Sequence, residues 1–217
     1  MKIKLTICIG VWLLIHSLVF GQTNYISKDS LFRFKLSGNL EKVDEEGFHT
    51  IDTLEIIHTT SNRIIQTIKP DTKFENPNNY EAWKIIDINY DGNEDFILIS
   101  GNGQYRDILY DFYIYDIKTG LFSKWESEFN DGANLINVRP SFDVVNKTIT
   151  TYWHNTDTFQ KTSIFKFFNG EYQLVEEYNQ ELDKETNGKF LITTHKKMVE
   201  GKWKLMEFEM ISLQKEN

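Results

Sequence analysis

The stretch from Ser163 to Tyr178 reads SIFKFFNGEYQLVEEY, and it decides the fold class that the sequence predicts. Two runs with aromatic and aliphatic residues lie on either side of the dipeptide Asn169-Gly170. This dipeptide favours a two-residue turn between antiparallel strands, because Asn and Gly tolerate the positive φ angles that such a turn requires. The stretch therefore predicts a β-hairpin with strands over 163–168 and 171–178.

The same pattern recurs along the chain. Short β-branched and aromatic runs are separated by turn residues at 51–60 and 63–68, 110–116 and 121–125, 142–145 and 148–154, and 190–199 and 202–213. The chain has three prolines, and none lies inside these runs, as expected for paired strands. The sequence therefore predicts an all-β domain of antiparallel hairpins, arranged as propeller-like blades or as a two-sheet sandwich.

The first residues are typical of an export signal. Lys2 and Lys4 precede the apolar run 5–20, and the small residue Gly21 follows it, which predicts a secretory signal peptide over 1–21. The alternative is an uncleaved anchor, but the apolar run is short for a span and contains His16. Residues 22–217 are then a single all-β domain that is periplasmic or secreted, with no membrane span after removal of the signal.

Charge and cysteine content limit the function classes. The sequence has 24 Lys and Arg against 32 Asp and Glu, a formal net charge of −8. Such an acidic domain is a poor candidate for binding nucleic acid or anionic lipid, and a better one for cations or a basic protein partner. The one cysteine, Cys8, lies in the predicted signal, so the mature chain has no disulfide, thiolate zinc site or cysteine nucleophile.

The stretch 87–96, DINYDGNEDF, places oxygen-bearing side chains at every second position around Gly92. A hard cation such as calcium needs six to eight oxygen ligands, and a loop supplies them when alternate residues point inward and a glycine allows a sharp turn. The spacing predicts a calcium site. Its ligands are Asp87, Asn89, Asp91, the backbone carbonyl of Asn93, and Asp95.

The order of ligands is that of an EF-hand loop, but the flanking residues 83–88 and 96–100 are predicted strands. Position 12 of the loop is Leu98 instead of the bidentate Glu, so we expect a dissociation constant of about 10⁻⁴ to 10⁻³ M. The alternative is an Asx-rich turn without an ion. That alternative leaves the repulsion among the carboxylates of three aspartates in nine residues without compensation.

No catalytic motif is evident. The four histidines beyond the predicted signal lack metal-motif spacing, and neither a GxSxG sequence nor a phosphate-binding glycine loop occurs, so the prediction is a protein that is not an enzyme. Four tryptophans beyond the signal suggest an alternative function in carbohydrate binding or adhesion at the cell envelope, although most are expected in the core.

The run 87–122, DINYDGNEDFILISGNGQYRDILYDFYIYDIKTGLF, carries a resemblance to known families. Its calcium loop resembles those of FG-GAP (VCBS-type) repeats. The order of one calcium loop, a Ser/Gly-rich loop, an aromatic YxxYxYD strand and a TGxF turn is similar to a family of exported bacterial proteins. That family comprises inhibitors of invertebrate-type lysozyme and periplasmic immunity proteins against peptidoglycan-cleaving effectors.

The resemblance implies a function and a recognition loop. In lysozyme inhibitors of this kind, a loop with Ser, Gly and Tyr enters the active-site cleft of the enzyme. The matching residues here are Ser100, Gly101, Asn102, Gly103, Gln104, Tyr105 and, beside them, Arg106. The expected partner is therefore a lysozyme-like hydrolase, with calcium as the bound cofactor.

Overall fold

The computed structural model describes residues 22–26, 31–39, 48–70, 72–74, 82–102, 108–125, 138–156 and 159–213. The predicted signal segment, 1–21, lies outside these residues. The described residues form strands and turns without a helix, which confirms the predicted all-β class. No apolar helix of membrane-spanning length occurs in the described ranges.

The strands are, in chain order, β1 (Gln22–Ile26), β2 (Phe32–Ser37), β3 (His49–Ile51), β4 (Thr53–His58), β5 (Arg63–Ile68), β6 (Thr72–Phe74), β7 (Trp83–Ile86), β8 (Asp95–Asn102), β9 (Ile108–Asp116), β10 (Leu121–Lys124), β11 (Ser141–Asp143), β12 (Thr148–Thr156), β13 (Phe159–Phe168), β14 (Glu171–Leu182), β15 (Phe190–Val199) and β16 (Lys202–Ser212). Every pairing between them is antiparallel. The predicted hairpins β4–β5, β9–β10, β11–β12, β13–β14 and β15–β16 all form.

The strands make three larger sheets and one small one. The first sheet has the order β1-β2-β4-β5, the second β10-β9-β8-β7, and the third β11-β12-β13-β14-β15-β16. Strands β3 and β6 form a separate two-stranded sheet. Most neighbours in space are therefore neighbours in sequence, as expected when hairpin turns determine the connections.

The second sheet is buried on both faces. Phe34 of the first sheet lies against Phe96, with ring centroids 5.5 Å apart, so one face of the second sheet packs on the first sheet. Phe112 lies 5.9 Å from Phe142 of the third sheet, so the other face packs on the third. This double burial explains the unbroken apolar run 96–99, whose four residues are all buried. The architecture is a β-sandwich in which the second sheet contacts the first on one face and the third on the other, without closure into a barrel among the described residues.

A single glutamine joins the edges of the first and second sheets. The Gln66 side chain on β5 donates from Nε2 to the carbonyl oxygen of Phe122 on β10 at 2.8 Å, and Oε1 accepts the Phe122 N–H at 2.8 Å. The carboxamide thus forms the two hydrogen bonds that a neighbouring strand would form. The backbone groups of Phe122 at the edge of β10 are therefore satisfied by a side chain of the first sheet, although β5 and β10 belong to different sheets.

Candidate metal loop and recognition hairpin

The predicted calcium loop joins two antiparallel strands of the second sheet. Strand β7 ends at Ile86 and β8 begins at Asp95, and these two residues are paired across the sheet. The loop 87–94 therefore closes a hairpin, as the sequence predicts. Gly92 has a φ of 88°, the positive value expected at the sharp turn, and Tyr90 also has a positive φ of 56°.

Alternate side chains of the loop turn inward. The carboxylate of Asp87 accepts the backbone N–H groups of Asp91 at 3.2 Å and Gly92 at 3.1 Å. The side-chain oxygen of Asn89 accepts the N–H of Asp91 at 3.1 Å, and Asp91 Oδ1 accepts the N–H of Asn93 at 2.8 Å. These side-chain oxygens thus accept backbone N–H groups within the loop, as in an Asx-rich turn, and calcium coordination by them stays a prediction.

Asp91 is the central carboxylate of this arrangement. Its two oxygens also accept hydrogen bonds from the amide nitrogens of Asn89 and Asn93, both at 3.0 Å. Carboxylate and amide oxygens are the ligands that calcium uses in proteins. The loop therefore offers oxygens of the chemical type that a hard cation binds, from Asp87, Asn89, Asp91 and the backbone carbonyl of Asn93. In the described residues, no group of three or more His, Cys, Asp or Glu side chains is arranged as a metal centre.

Asp95 has a second structural role. Its side chain is fully buried, and Oδ2 accepts the backbone N–H groups of Ile88 at 2.8 Å and Asn89 at 3.4 Å. Oδ1 accepts the N–H of Tyr115 at 2.8 Å. Burial raises the pKa of Asp95 to about 6, although these three N–H donors favour the ionised form. The carboxylate fastens the loop to β9, and a nearby cation would offset part of the cost of burying its charge.

The third sheet holds the same loop from the other side. The Tyr172 hydroxyl donates a hydrogen bond to the carbonyl oxygen of Ile88 at 2.8 Å and lies 3.4 Å from the Tyr90 hydroxyl. Burial raises the pKa of Tyr172, so the hydroxyl remains a donor. The ammonium of Lys147 lies 5.1 Å from the centre of the Tyr90 ring. The sequence did not predict these contacts, because Tyr172 and Ile88 are separated by 84 positions.

The Tyr172 contact leads to a testable prediction. Tyr172→Phe should lower the free energy of unfolding by about 1–2 kcal/mol, because the buried Ile88 carbonyl loses its donor. Calcium affinity should also fall, since the loop is less firmly held. Urea unfolding and calorimetry with Ca²⁺ measure the two effects. Tyr178→Phe is the matched control, because the Tyr178 hydroxyl is exposed and bonds to Glu176. Equal effects of both substitutions would contradict the proposed contact.

The predicted recognition residues begin in strand β8. Gly101 pairs with Leu109 and Asn102 with Ile108, and the register shifts between Ile99 and Gly101, so that Ser100 is the extra residue of a bulge. Gly101 has a φ of 146°, which favours glycine. The remaining predicted residues, Gly103, Gln104, Tyr105 and Arg106, lie outside the described residues.

The metal loop and the recognition residues are at opposite ends of β8. The strand runs from Asp95 to Asn102 and has eight residues, which corresponds to about 25 Å of extended chain. An ion bound in the loop would therefore not contact the recognition residues. Any effect of the ion on them would pass along the buried β8–β9 hairpin.

Two of the four described tryptophans belong to the core, whereas the half-buried Trp153 and the exposed Trp203 do not. Trp83 is buried, and Trp125 packs against the core with its ring 5.7 Å from that of Phe112. Trp203 on β16, in contrast, is 43% exposed. Among the described histidines, His195 forms a hydrogen bond with Glu176 at 2.8 Å.

Comparison with known proteins places the fold. No protein-family model matches the chain, and no curated protein matches it. The structure is similar to that of a Type IV secretion system related protein from Xanthomonas, with a TM-score of 0.56, 16% identity, and coverage of 87% of this chain and 94% of that chain. At this identity the likeness establishes the fold alone. The chain is thus an all-β sandwich protein that shares its fold with a secretion-system-related protein.

Proposed function

We propose that the protein is an exported, non-enzymatic calcium-binding protein that inhibits, or gives immunity to, a lysozyme-like peptidoglycan hydrolase. The observation that carries the proposal is the β8–β9 hairpin. One end of this hairpin has the convergent oxygens of the loop 87–95, and the other end leads into the Ser/Gly-rich recognition residues 100–106. The name of the similar Xanthomonas protein is compatible with action at the bacterial envelope.

The hairpin is suited to presenting a binding loop. Phe96, Ile97, Leu98 and Ile99 are buried between the first and third sheets, so the strand has little freedom to move. A rigid support limits the conformational entropy that the supporting strand itself loses on binding. Tyr105 and Arg106 are of the residue types that most often dominate binding energy at interfaces. The support therefore favours a protein partner with a cleft.

The inhibition is tested with lysozymes of the invertebrate, chicken and goose types. We expect residues 22–217 to inhibit at least one of them. Tyr105→Ala should weaken inhibition 10-fold or more, as expected for an anchor residue. Tyr152→Ala is the control, because Tyr152 is an exposed tyrosine on the third sheet. Absence of inhibition by saturating protein, combined with retention on peptidoglycan, would favour the carbohydrate-binding alternative.

Calcium binding is a separate prediction. Calorimetry should give a dissociation constant of about 10⁻⁴ to 10⁻³ M, and excess Ca²⁺ should raise the melting temperature, because a ligand of the native state stabilises it. Asp91→Ala should abolish both effects. The control is Asp183→Ala in the β14–β15 turn, where Asp183 Oδ1 accepts the Glu185 N–H in a similar Asx turn. If Ca²⁺ gives neither heat nor stabilisation, the metal assignment is wrong.

A further inference from the structure

The outer part of the third sheet extends past the core. Strand β16 is the edge strand of this sheet, and all of its residues are exposed. In addition to Met206 at 53% and Ile211 at 43%, four large apolar residues of β16 are about half exposed: Trp203 at 43%, Leu205 at 57%, Phe208 at 55% and Met210 at 48%. An exposed strand of this composition is unusual in a monomer.

A bulge places these four residues on the same face. Glu207 pairs with His195 and Leu205 with Lys196, so Met206 is an extra residue without a partner. Without the bulge, the alternation of a strand would put the pair Trp203 and Leu205 on the face opposite Phe208 and Met210. With it, all four form one line, which we call the apolar row.

The apolar row continues the core-facing side of the third sheet. The registers place Leu205 beside Lys196, Lys196 beside Glu177, and Glu177 beside Ser163, which is buried. Phe165, two residues along β13 from Ser163, has no exposed surface. This side of the third sheet is therefore covered near β13, where it packs on the second sheet. At β16 the same side is uncovered.

The opposite face of β16 is mostly charged. The register places Lys202, Lys204, Glu207 and Glu209 on that face, with Ile211 near the end of the strand. A strand with one charged and one apolar face is typical of a sheet that is solvated on one side and covered on the other. The composition of β16 thus indicates that a partner covers the apolar row.

The surface of β16 that we expect a partner to cover is its apolar face, not its outer edge. The bulge at Met206 interrupts the ladder, and Lys202 and Lys204 lie near one end of the strand. Bulges and lysines are features that discourage pairing of edge strands with another chain. A partner is therefore expected to pack on the side chains rather than to add a strand.

The area is suited to a two-fold dimer. Each of the four side chains leaves about half of roughly 200 Å² uncovered, so the row presents roughly 400 Å² of apolar surface. Phe190, Ile192 and Met198 on β15 are half-buried on the same face and extend it. Two such rows together present roughly 800 Å², and the β15 residues raise the total toward the ~1,200 Å² at which stable interfaces begin.

The charges of this face also permit contact between two copies. The chain as a whole has a net charge of −8, which disfavours self-association. On this face, however, the formal charges cancel, because Lys161 and Lys196 offset Glu177 and Glu181. Lys161 forms an ion pair with Glu177 at 2.6 Å, and Lys196 is the register partner of the same Glu177. A cavity of about 550 Å³ beside the row, lined partly by Leu174 and Trp203, offers a recess for partner side chains.

We infer that the apolar row is the interface with a second copy of this chain, in which two third sheets pack face to face around a two-fold axis. Such packing places the sheets about 10 Å apart and makes the same residues contact in both directions. A two-fold contact needs no other partner, and it buries the neutral face while the charged face remains in water.

Analytical ultracentrifugation of residues 22–217 tests this inference. We expect a dimer at micromolar concentrations. Phe208→Glu should raise the dimer dissociation constant at least 10-fold without altering the circular dichroism spectrum, because Phe208 is half exposed in the monomer. Glu209→Lys is the matched control on the opposite face and should leave the dimer unchanged.

Three outcomes would overturn the inference. One is a chain that stays monomeric at every concentration up to about 100 µM, because a stable interface of this size would form a dimer at lower concentrations. Another is a dimer that Phe208→Glu does not weaken. The third is a monomer that binds phosphatidylethanolamine–phosphatidylglycerol vesicles through Trp203, measured by a blue shift of its fluorescence, which would assign the row to a membrane surface.

Discussion

Asp95→Ala should lower the free energy of unfolding by about 3–5 kcal/mol in calcium-free buffer, more than any other substitution in the loop. The carboxylate is fully buried and accepts the backbone N–H groups of Ile88, Asn89 and Tyr115. Alanine leaves all three donors without a partner, and the connection between the loop and β9 is lost. Urea unfolding with a calcium chelator measures the change in stability independently of ion binding.

Two variants make this prediction specific. Asp95→Asn should cost less than alanine, because its one side-chain oxygen still accepts a hydrogen bond from Tyr115 while its NH₂ group opposes the other donors. Asp91→Ala should cost least in calcium-free buffer, because the hydrogen bonds of Asp91 are exposed to water. If Asp95→Ala and Asp91→Ala have equal effects without calcium, the buried carboxylate does not fasten the loop.

The hairpins were predictable because their determinants are local. Asn169 and Gly170 have φ values of 53° and 90°, as the turn between β13 and β14 requires. Gly120 has a φ of 69° in the turn between β9 and β10. Each turn depends on a few adjacent residues, so the sequence contains the information in one place.

The stacking of the sheets depends on distant residues and was left open by the sequence. The apolar run 96–99 predicts a buried strand, but not which sheets cover its two faces. Strands β1, β2, β3 and β6 have weak turn signals around them and were not predicted. Their pairing is determined by contacts across the core, where Phe34 lies 5.0 Å from Trp83.

The candidate site was predictable in its spacing but not in the use of each oxygen. Asp87, Asn89 and Asp91 turn inward as the alternation predicts. Asp95 follows the same alternation, yet its carboxylate is buried and accepts an N–H from β9, outside the loop. An acceptor that binds a cation and one that binds N–H groups have the same sequence spacing, so only the fold distinguishes them.

Gly38→Ala is the second substitution with a large expected effect, about 3 kcal/mol or more, from backbone strain and overpacking together. Gly38 follows β2 and has a φ of 147°, a conformation that favours glycine. A Cβ atom there would lie 2.3 Å from the carbonyl oxygen of Thr50. The clash is with backbone, so it cannot be relieved by rotation of a side chain.

The expected damage to the fold can be traced to two hydrogen bonds that cross this contact. The Thr50 N–H donates to the Asn39 carbonyl at 3.2 Å, and the Asp52 N–H donates to the Ser37 carbonyl at 2.8 Å. Moving the backbones apart weakens both, so their amide protons should exchange faster in the variant. Gly170→Ala separates strain from clash, since Gly170 has a φ of 90° but no atom within 4 Å of an added Cβ. We expect it to cost about 1 kcal/mol, and equal losses in urea unfolding would show that close packing at Gly38 is not the cause.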